Sequence, residues 1–421
     1  MRGLSRKTRV LYLGMPGSPW GQTLAVRSLT QMFTKDSRLD VIPIDGLAPL
    51  PSGLEDASFD LIVLSPTFLA ARYSQDLLRS TRRKFAFIES STALKVAMPQ
   101  DDYDCSSILD GWVTDWDVDL TYTICPHNWE LLYPRYQQTG RLRLGFTRYI
   151  LENEMNELVS TKSWKDRSID VSYRTAQLPP NFGALGYLKT NIVNIFTHEL
   201  QPNHDLELDL STHSKDRIAG RSWRTFLENS RFVLVSPSGS SLIDLYGDLR
   251  QAAQSVSVRD LKPDEFLSAV SELRHLRCKN TMISPRNIEA CLLGTVQVAV
   301  SDEYSGILRA NEHYIPLDPS PDLISRLRDE FEWNRIRSRA LDAILSVPQL
   351  RATSFIGELI REAGIKPSLV KQMSATFEQT PASRRRFLRK RATYQTFRYW
   401  THRRLRDRLE AAYALLRSIA R

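Results

Sequence analysis

Arg286 and Glu289 stand three residues apart in the stretch SPRNIEACLLG, a spacing that places them on one face of a helix. Two chemistries suit such a pair. It can be a surface ion pair worth only tenths of a kcal/mol. Alternatively, the carboxylate accepts hydrogen bonds from a ribose diol while the guanidinium steadies it or touches phosphate. Ser284 and Pro285 just ahead are helix-start residues, and Gly294 can close the helix in a left-handed turn. Residues 296–300 then read as a buried strand. The polar loop 301–306, with Tyr304, Ser305 and Gly306, follows at its carboxyl end, where open α/β sheets bind ligands.

Other groups invite the same question. SPSGSSLID (236–244) follows an apolar strand, and Ser238, Gly239, Ser240 and Ser241 offer amides and hydroxyls suited to phosphate or sugar oxygens. The plainer alternative is a capped turn. The stretch lacks the G-x-S-x-G of a lipase elbow. Arg174, Lys215 and Arg217 each follow a predicted strand, where Arg can grip phosphate with two donors. A lone Arg is otherwise a solvated surface group. For proton transfer, Glu89 ends one predicted strand and His127 follows another, so either can act as a general base across a cleft. The seven histidines show no H-E-x-x-H, and Cys105, Cys125, Cys278 and Cys291 form no CxxC. No metal and no cofactor is expected. Gly14, Gly17 and Gly21 in GMPGSPWG match neither G-x-G-x-x-G nor a Walker loop. They serve either a substrate approaching the first helix or a simple turn.

These residues need elements to hold them. A first set of strands is expected at 9–14, 41–44, 61–64, 85–88, 111–114 and 122–124, with helices at 23–33 and 77–83. LIVL at 61–64 is continuously apolar, as a parallel strand covered on both faces should be. The polar segment 152–167 suits a linker or bridging helix. The alternation then restarts: strand 170–173, helix 185–198, strand 206–210, helix 223–227, strand 232–235. Helices follow at 323–331, 336–345 and 355–363. Alternating strands and helices argue for parallel α/β sheets. No internal repeat of 20–50 residues is visible.

Composition sets the bounds. The 421 residues can fill two domains, and 42% hydrophobic with 25% charged is ordinary for a globular protein. No run approaches the ~18 apolar residues of a membrane span. The apolar run 10–13 reads as a first strand rather than a signal peptide. The net charge of +9 is concentrated at one end. From Ser383 to Arg421 thirteen Lys and Arg face only Asp407 and Glu410, so that tail carries +11 and the rest −2. Charge therefore gives no support for nucleic acid on the main body. In the tail, Tyr394, Phe397, Leu405, Leu409, Ala412, Leu416 and Ile419 recur at three- and four-residue steps, which predicts a basic amphipathic helix. Such a helix suits an anionic membrane surface or docking on the protein. A cytoplasmic protein with reduced thiols, associated with the inner face of the membrane through this tail, is the expectation.

ISPRNIEACLLGT, EYSGIL and EHYIPL together resemble the donor-binding half of GT-B glycosyltransferases, in particular a bacterial group reading SPR-x-x-EA-x-x-x-GT, Y-x-G-I-L and HYIPL. DVSYR with LPPNFGALGYLK, DLSTHSKDRIAGRSWRTFLENSRFVL and SPSGSSLIDLYG agree in the same order, so the resemblance covers about residues 168–360. It implies two Rossmann-like domains with parallel sheets facing a central cleft, plus carboxyl-terminal helices. The division it implies is 1–155 for the acceptor, 165–322 for the nucleotide-sugar donor, 323–365 for helices returning to the first domain, and 380–421 for the tail. The implied activity is sugar transfer to a glycan, lipid-linked or surface-polysaccharide acceptor without a metal. Glu289 aligns with the family's ribose-holding glutamate, and Tyr304, Ser305 and Gly306 with its loop to the donor phosphates and sugar. Thr281 stands where many retaining members carry a second glutamate, so an E-x7-E mechanism does not carry over. A catalytically degenerate scaffold that binds a glycan or protein, or a nucleotide-sugar epimerase, are the alternatives.

Overall fold

The computed structural model describes residues 6–15, 24–157, 162–200, 205–218, 220–254, 261–273, 275–317 and 322–365. The expected tail helix, and Gly17 and Gly21 of the first glycine loop, lie outside them.

The first unit runs β1 (Thr8–Gly14), α1 (Leu24–Thr34), β2 (Leu39–Asp45), β3 (Leu61–Leu64), α2 (Pro66–Leu69), α3 (Gln75–Lys84), β4 (Leu94–Ala97), α4 (Ser106–Asp115), β5 (Leu120–Thr123), α5 (Trp129–Leu132) and β6 (Arg141–Leu144). Its strands form one parallel sheet in the order β2-β1-β3-β4-β5-β6. Side chains alternate along each strand. Val10 and Tyr12 therefore join one core with Leu29 and Phe33 of α1, while Leu11 and Leu13 join another with Trp112 of α4. Both faces are covered, which is why these strands read as unbroken apolar runs.

α6 (Glu152–Glu157) starts the crossing to the second unit. There follow β7 (Ile169–Arg174), α7 (Gly183–Glu199), β8 (Leu208–Ser211), α8 (Arg221–Glu228), β9 (Ser230–Val235), β10 (Ser238–Asp244), α9 (Asp248–Ala252), α10 (Pro263–Ala269), β11 (His275–Met282), α11 (Pro285–Leu292), β12 (Val296–Ala299) and β13 (Ile315–Pro316). The second parallel sheet has the order β13-β12-β9-β7-β8, and β10 pairs with β11 as a separate antiparallel ribbon. α12 (Leu323–Arg328), α13 (Glu330–Leu345) and α14 (Ala352–Ile365) complete the described chain. α14 lies against the first unit: Arg38 donates to the Thr353 carbonyl at 2.8 Å and the Tyr122 hydroxyl to Glu358 at 3.0 Å. Two Rossmann-like α/β units plus carboxyl-terminal helices form the GT-B plan.

Several expected elements differ. Residues 85–88 are not a strand. Phe85 and Ile88 bury in the first core around a short 3-10 turn, Ala86–Ile88. Residues 111–114 lie inside α4, where Trp112 and Val113 face the core and Asp110 and Thr114 bond across one turn. The strand that fills the sheet is β4, disguised by Lys95, whose ammonium reaches the Glu89 carbonyl at 3.2 Å. The charged, alternating β6 is an edge strand. The expected helix 323–331 breaks at Asp329, whose side chain caps α13 by accepting from the Glu332 amide at 3.0 Å.

Candidate active site

α11 forms as its sequence dictates. Ser284 caps it in a reciprocal box with Asn287, Pro285 fills its first turn, and Gly294 leaves it at φ 63°. The helix buries Ile288 and Leu292 and presents Arg286 at its amino end. Beneath it lies the switch point of the second sheet: the chain steps from β7 to β8 on one side, then returns to β9 on the other. The crevice beyond β7 and β9 is where such sheets take ligands.

Two cations converge there. Arg286 lies 4.7 Å from the Tyr173 ring centre and 5.4 Å from that of Trp223. Its guanidinium donates to the main-chain oxygens of Arg174 and Leu234, not to Glu289. Of the two readings the spacing allows, the i,i+3 ion pair does not form, and stacking and strand-end contacts take its place. Lys189, on α7, adjoins it, and the Tyr173 hydroxyl donates to the Lys189 carbonyl at 2.6 Å. Its ammonium has no hydrogen-bond or ion-pair partner among the described residues. Burial, then the Arg286 charge, lowers its pKa to about 8, with Asp101 of the first unit pulling the other way. Ser236, just past β9, keeps a buried hydroxyl without a partner, and so does the Asn181 carbonyl oxygen ahead of α7. Two neighbouring cations at the carboxyl ends of β7 and β9 are an arrangement that can take an anion.

Across from it, the loops after β5 and β12 meet. His127 Nε2 lies 3.1 Å from the Glu303 carboxylate, and Asn128 donates to Asn280 at 2.7 Å. His127 and Glu303 are both solvent-accessible. Next to Glu303, Tyr304, Ser305 and Gly306 all have left-handed backbones, with φ of 43°, 58° and 74°. For tyrosine and serine that costs about 1–3 kcal/mol each. The turn is held by the Tyr304 hydroxyl donating to the Val300 carbonyl at 2.7 Å and by Ser305 accepting from the Ile283 amide at 3.0 Å.

Glu289 has a different environment from the one expected. It is 7% exposed, with one oxygen 3.2 Å from Arg148 Nε and the other accepting from Trp223 Nε1 at 2.7 Å. Arg148, from the first unit's exit segment, also pairs with Glu154. Burial pushes the Glu289 carboxyl pKa up, and Arg148 and Trp223 offset part of that push. As placed, Glu289 ties the two units together.

Other candidates stand apart. Glu89 precedes β4, at the amino rather than the carboxyl side of the strand, so it faces away from the cleft loops. The misread strand 85–88 caused that misplacement. Arg174 pairs with Asp209 on the neighbouring strand. Lys215 and Arg217 are exposed beyond the edge strand β8, one strand removed from the switch point. Ser238, Gly239 and Ser240 are not a turn: they sit in β10, paired with Met282, Thr281 and Asn280. Gly239 is required there, because at φ 122° a Cβ would collide with the Asn280 carbonyl. Ser240 and Ser241 donate to the Phe182 carbonyl. Ser284 is spent on its cap. Sequence reasoning missed Lys189, Ser236, Arg148, Trp223 and Glu303. Lys189 could have been found as the cation in the quoted GALGYLK stretch. The described residues include no group of three or more His, Cys, Asp or Glu placed to hold a metal.

No known protein-family profile matches the sequence, and no curated protein matches it. Among solved structures, it is similar to an α-glucosyltransferase in complex with UDP and a 13-mer DNA containing a HMU base, at 10% identity and TM-score 0.46, over 85% of this chain and 99% of that one. It is also similar to HepE from Anabaena in complex with UDP-glucose, at 12% identity and TM-score 0.44, over 85% and 99%. Likeness at this level says nothing of activity or residues.

Proposed function

We propose that this protein transfers a sugar from a nucleotide-sugar donor to an acceptor hydroxyl. The observation that carries this reading is the Lys189–Arg286 pair of cations at the switch point of the second sheet. In the reaction the bond between the anomeric carbon and the diphosphate oxygen breaks, and the acceptor oxygen takes its place. Negative charge grows on the leaving diphosphate, where two cations and the amino end of α11 stabilise it. The acceptor proton passes to His127, and Glu303 holds the resulting imidazolium. The left-handed Tyr304–Gly306 turn keeps its amides and the Ser305 side chain beside that transfer. In this reading residues 1–155 carry the acceptor, 165–322 the donor, and 323–365 tie the two. The donor is a substrate, and no cofactor takes part. The acceptor is a glycan, lipid-linked or surface-polysaccharide hydroxyl, and the basic tail holds the enzyme at an anionic membrane surface. No helix among the described residues is long and apolar enough to cross a membrane.

A scaffold that binds without turnover is favoured by one observation, the sealing of Glu289 by Arg148 and Trp223. One experiment separates the two. Thermal shift across uridine, guanosine, cytidine and deoxythymidine diphosphates identifies the nucleotide, and release of that nucleotide from its sugar conjugates is then followed with and without glycan acceptors. Release coupled to acceptor supports transfer, binding without release supports the scaffold, and failure of every diphosphate to bind overturns the anion-site reading.

A further inference from the structure

The loop at the carboxyl end of β4 reads MPQDDYDC, residues 98–105. The buried Arg72 holds it from within, donating to the carbonyls of Gln100, Asp101 and Asp104 at 2.7, 2.9 and 2.9 Å. Asp101 has a left-handed backbone, φ 54°, a conformation that Asp and Asn adopt more readily than most residues. The turn sorts its first two carboxylates. Asp102 is fully buried and accepts from the Tyr133 hydroxyl at 2.6 Å. Asp101 is half-buried. One of its oxygens accepts from the Tyr103 hydroxyl at 2.7 Å, and the other has no hydrogen-bond partner among the described residues.

Tyr103 sets this carboxylate against the second unit. Its ring meets that of Phe182 edge-on, 6.1 Å between centres, and Phe182 leads directly into α7. Lys189 lies about two turns along that helix. Asp101 is close enough for its charge to hold the Lys189 ammonium's pKa up against burial and Arg286. Even so, Asp101 and Lys189 form no ion pair among the described residues. The anion site of Lys189 and Arg286 therefore has an open carboxylate of the first unit facing it. A carboxylate there repels phosphate, and a free diphosphate most, because its terminal phosphate carries about one more negative charge than one esterified to a sugar. An ionised carboxylate is also an acceptor only, matched to a neutral hydroxyl.

We propose that Asp101 makes the donor site select a nucleotide-sugar over the free nucleoside diphosphate: its open oxygen accepts from a hydroxyl of the donor's sugar, and its charge repels the diphosphate left after transfer. This rests on the donor-site reading of Lys189 and Arg286. It gives the first unit a part in choosing the donor and helps the spent nucleotide to leave.

The test uses the full chain and calorimetry, with uridine, guanosine, cytidine and deoxythymidine diphosphates and their glucose and N-acetylglucosamine conjugates as probes. In Asp101→Asn, whose new residue suits the left-handed backbone, the free diphosphate should bind about threefold tighter and the conjugate about tenfold weaker. The preference for conjugate over diphosphate is thus expected to collapse. Tyr103→Phe removes the hydroxyl that Asp101 accepts from but keeps the carboxylate, so it should leave that preference as in the wild type. A preference unchanged by Asp101→Asn overturns the proposal while the donor site stands. An equal change in Tyr103→Phe also overturns it, making Asp101 a structural acceptor of its own turn. Unchanged binding of both probes with a raised KM for the acceptor moves Asp101 to the acceptor and overturns the donor assignment. Failure of every diphosphate and conjugate to bind the wild type sinks the donor reading, and this inference falls with it.

Discussion

Lys189 is the residue on which the donor site turns. Its pKa of about 8 lies below the 10.5 of a free lysine because burial and the Arg286 charge disfavour the ammonium. The sign of the consequence follows. Between pH 8 and 10.5 the unfolded chain holds a proton that the folded one has lost, so stability rises with pH across that window. Below about 8 the cost of the partly desolvated, cation-flanked ammonium is fully present. A diphosphate inverts the preference, because it favours the charged form. Affinity for the best-binding nucleoside diphosphate should be flat below pH 8 and fall above it, measured by calorimetry across pH. Lys189→Arg should flatten that profile. Lys189→Met should lose about ten- to a hundredfold in affinity at pH 7 without lowering the Tm of the free protein. A pH-independent wild type would remove Lys189 from the site.

Glu289 yields an opposite expectation at the same scale. Its carboxylate holds Arg148 and Trp223 in a buried cluster, so Glu289→Ala removes one of the two carboxylates that hold a guanidinium only 3% exposed, Glu154 being the other. Stability should fall by about 3–5 kcal/mol, measured by denaturant unfolding. Diphosphate affinity, measured where the variant is folded, should change by less than about threefold. A selective loss of affinity with intact stability would return Glu289 to the ribose.

At the scale of elements, the carboxyl-end loops of β5 and β12 bring a histidine to a carboxylate. His127→Gln should lower kcat by about 10²–10⁴ and Glu303→Gln by less, with folding unchanged, since both groups are exposed. Glu89→Gln should leave kcat unchanged, because its turn precedes β4. The reason these elements were unevenly legible in the sequence is physical. α11 and β12 carry their signals locally, in a cap, a proline, a left-handed glycine and an apolar run, and fold as those signals direct. β4 is hidden because Lys95 is buried through a contact to Glu89 that no local pattern announces. β10 is hidden because its backbone pairs with β11, some 40 residues away, and its serine hydroxyls donate to the Phe182 and Leu242 carbonyls. Of the site, Arg286 and the Tyr304–Gly306 turn were visible as motifs. The roles of Lys189 and Glu289 were not, because each depends on what the other unit or another helix brings near it.

At the scale of the molecule, the ribbon formed by β10 and β11 joins the two units. Ile243 and Met282 bury in the first unit's core, and the Asp244 amide donates to the Tyr103 carbonyl at 2.8 Å. Arg250 from the second unit donates to Asp104 at 2.8 Å, while the buried Arg72 fixes the same loop through the carbonyls of Asp104, Gln100 and Asp101. The ribbon is therefore held on both sides, by these contacts to the first unit and by Ser240 and Ser241 donating to the Phe182 carbonyl ahead of α7. The basic segment lies beyond these units. Deleting the residues after Gln379 should leave Tm unchanged and abolish sedimentation with anionic liposomes, an effect absent from neutral ones. Liposome binding that survives the deletion would end the membrane reading.

The Arg250–Asp104 contact offers the sharpest check on that ribbon. Asp104 is 2% exposed, and burial raises its carboxyl pKa against the pull of Arg250 and Arg72. Arg250→Met removes one of its two cations and should cost about 3 kcal/mol in chemical unfolding, because a buried charge loses a partner. Asp104→Asn alone leaves Arg250, 29% exposed at its side chain and stacked on the Tyr73 ring, and should cost less. The double variant should recover part of the Arg250→Met loss, a coupling of about 1–3 kcal/mol. Strictly additive losses would mean that the two units are not joined through this pair, leaving the buried Ile243 and Met282 and the Asp244–Tyr103 hydrogen bond to hold the ribbon on the first unit.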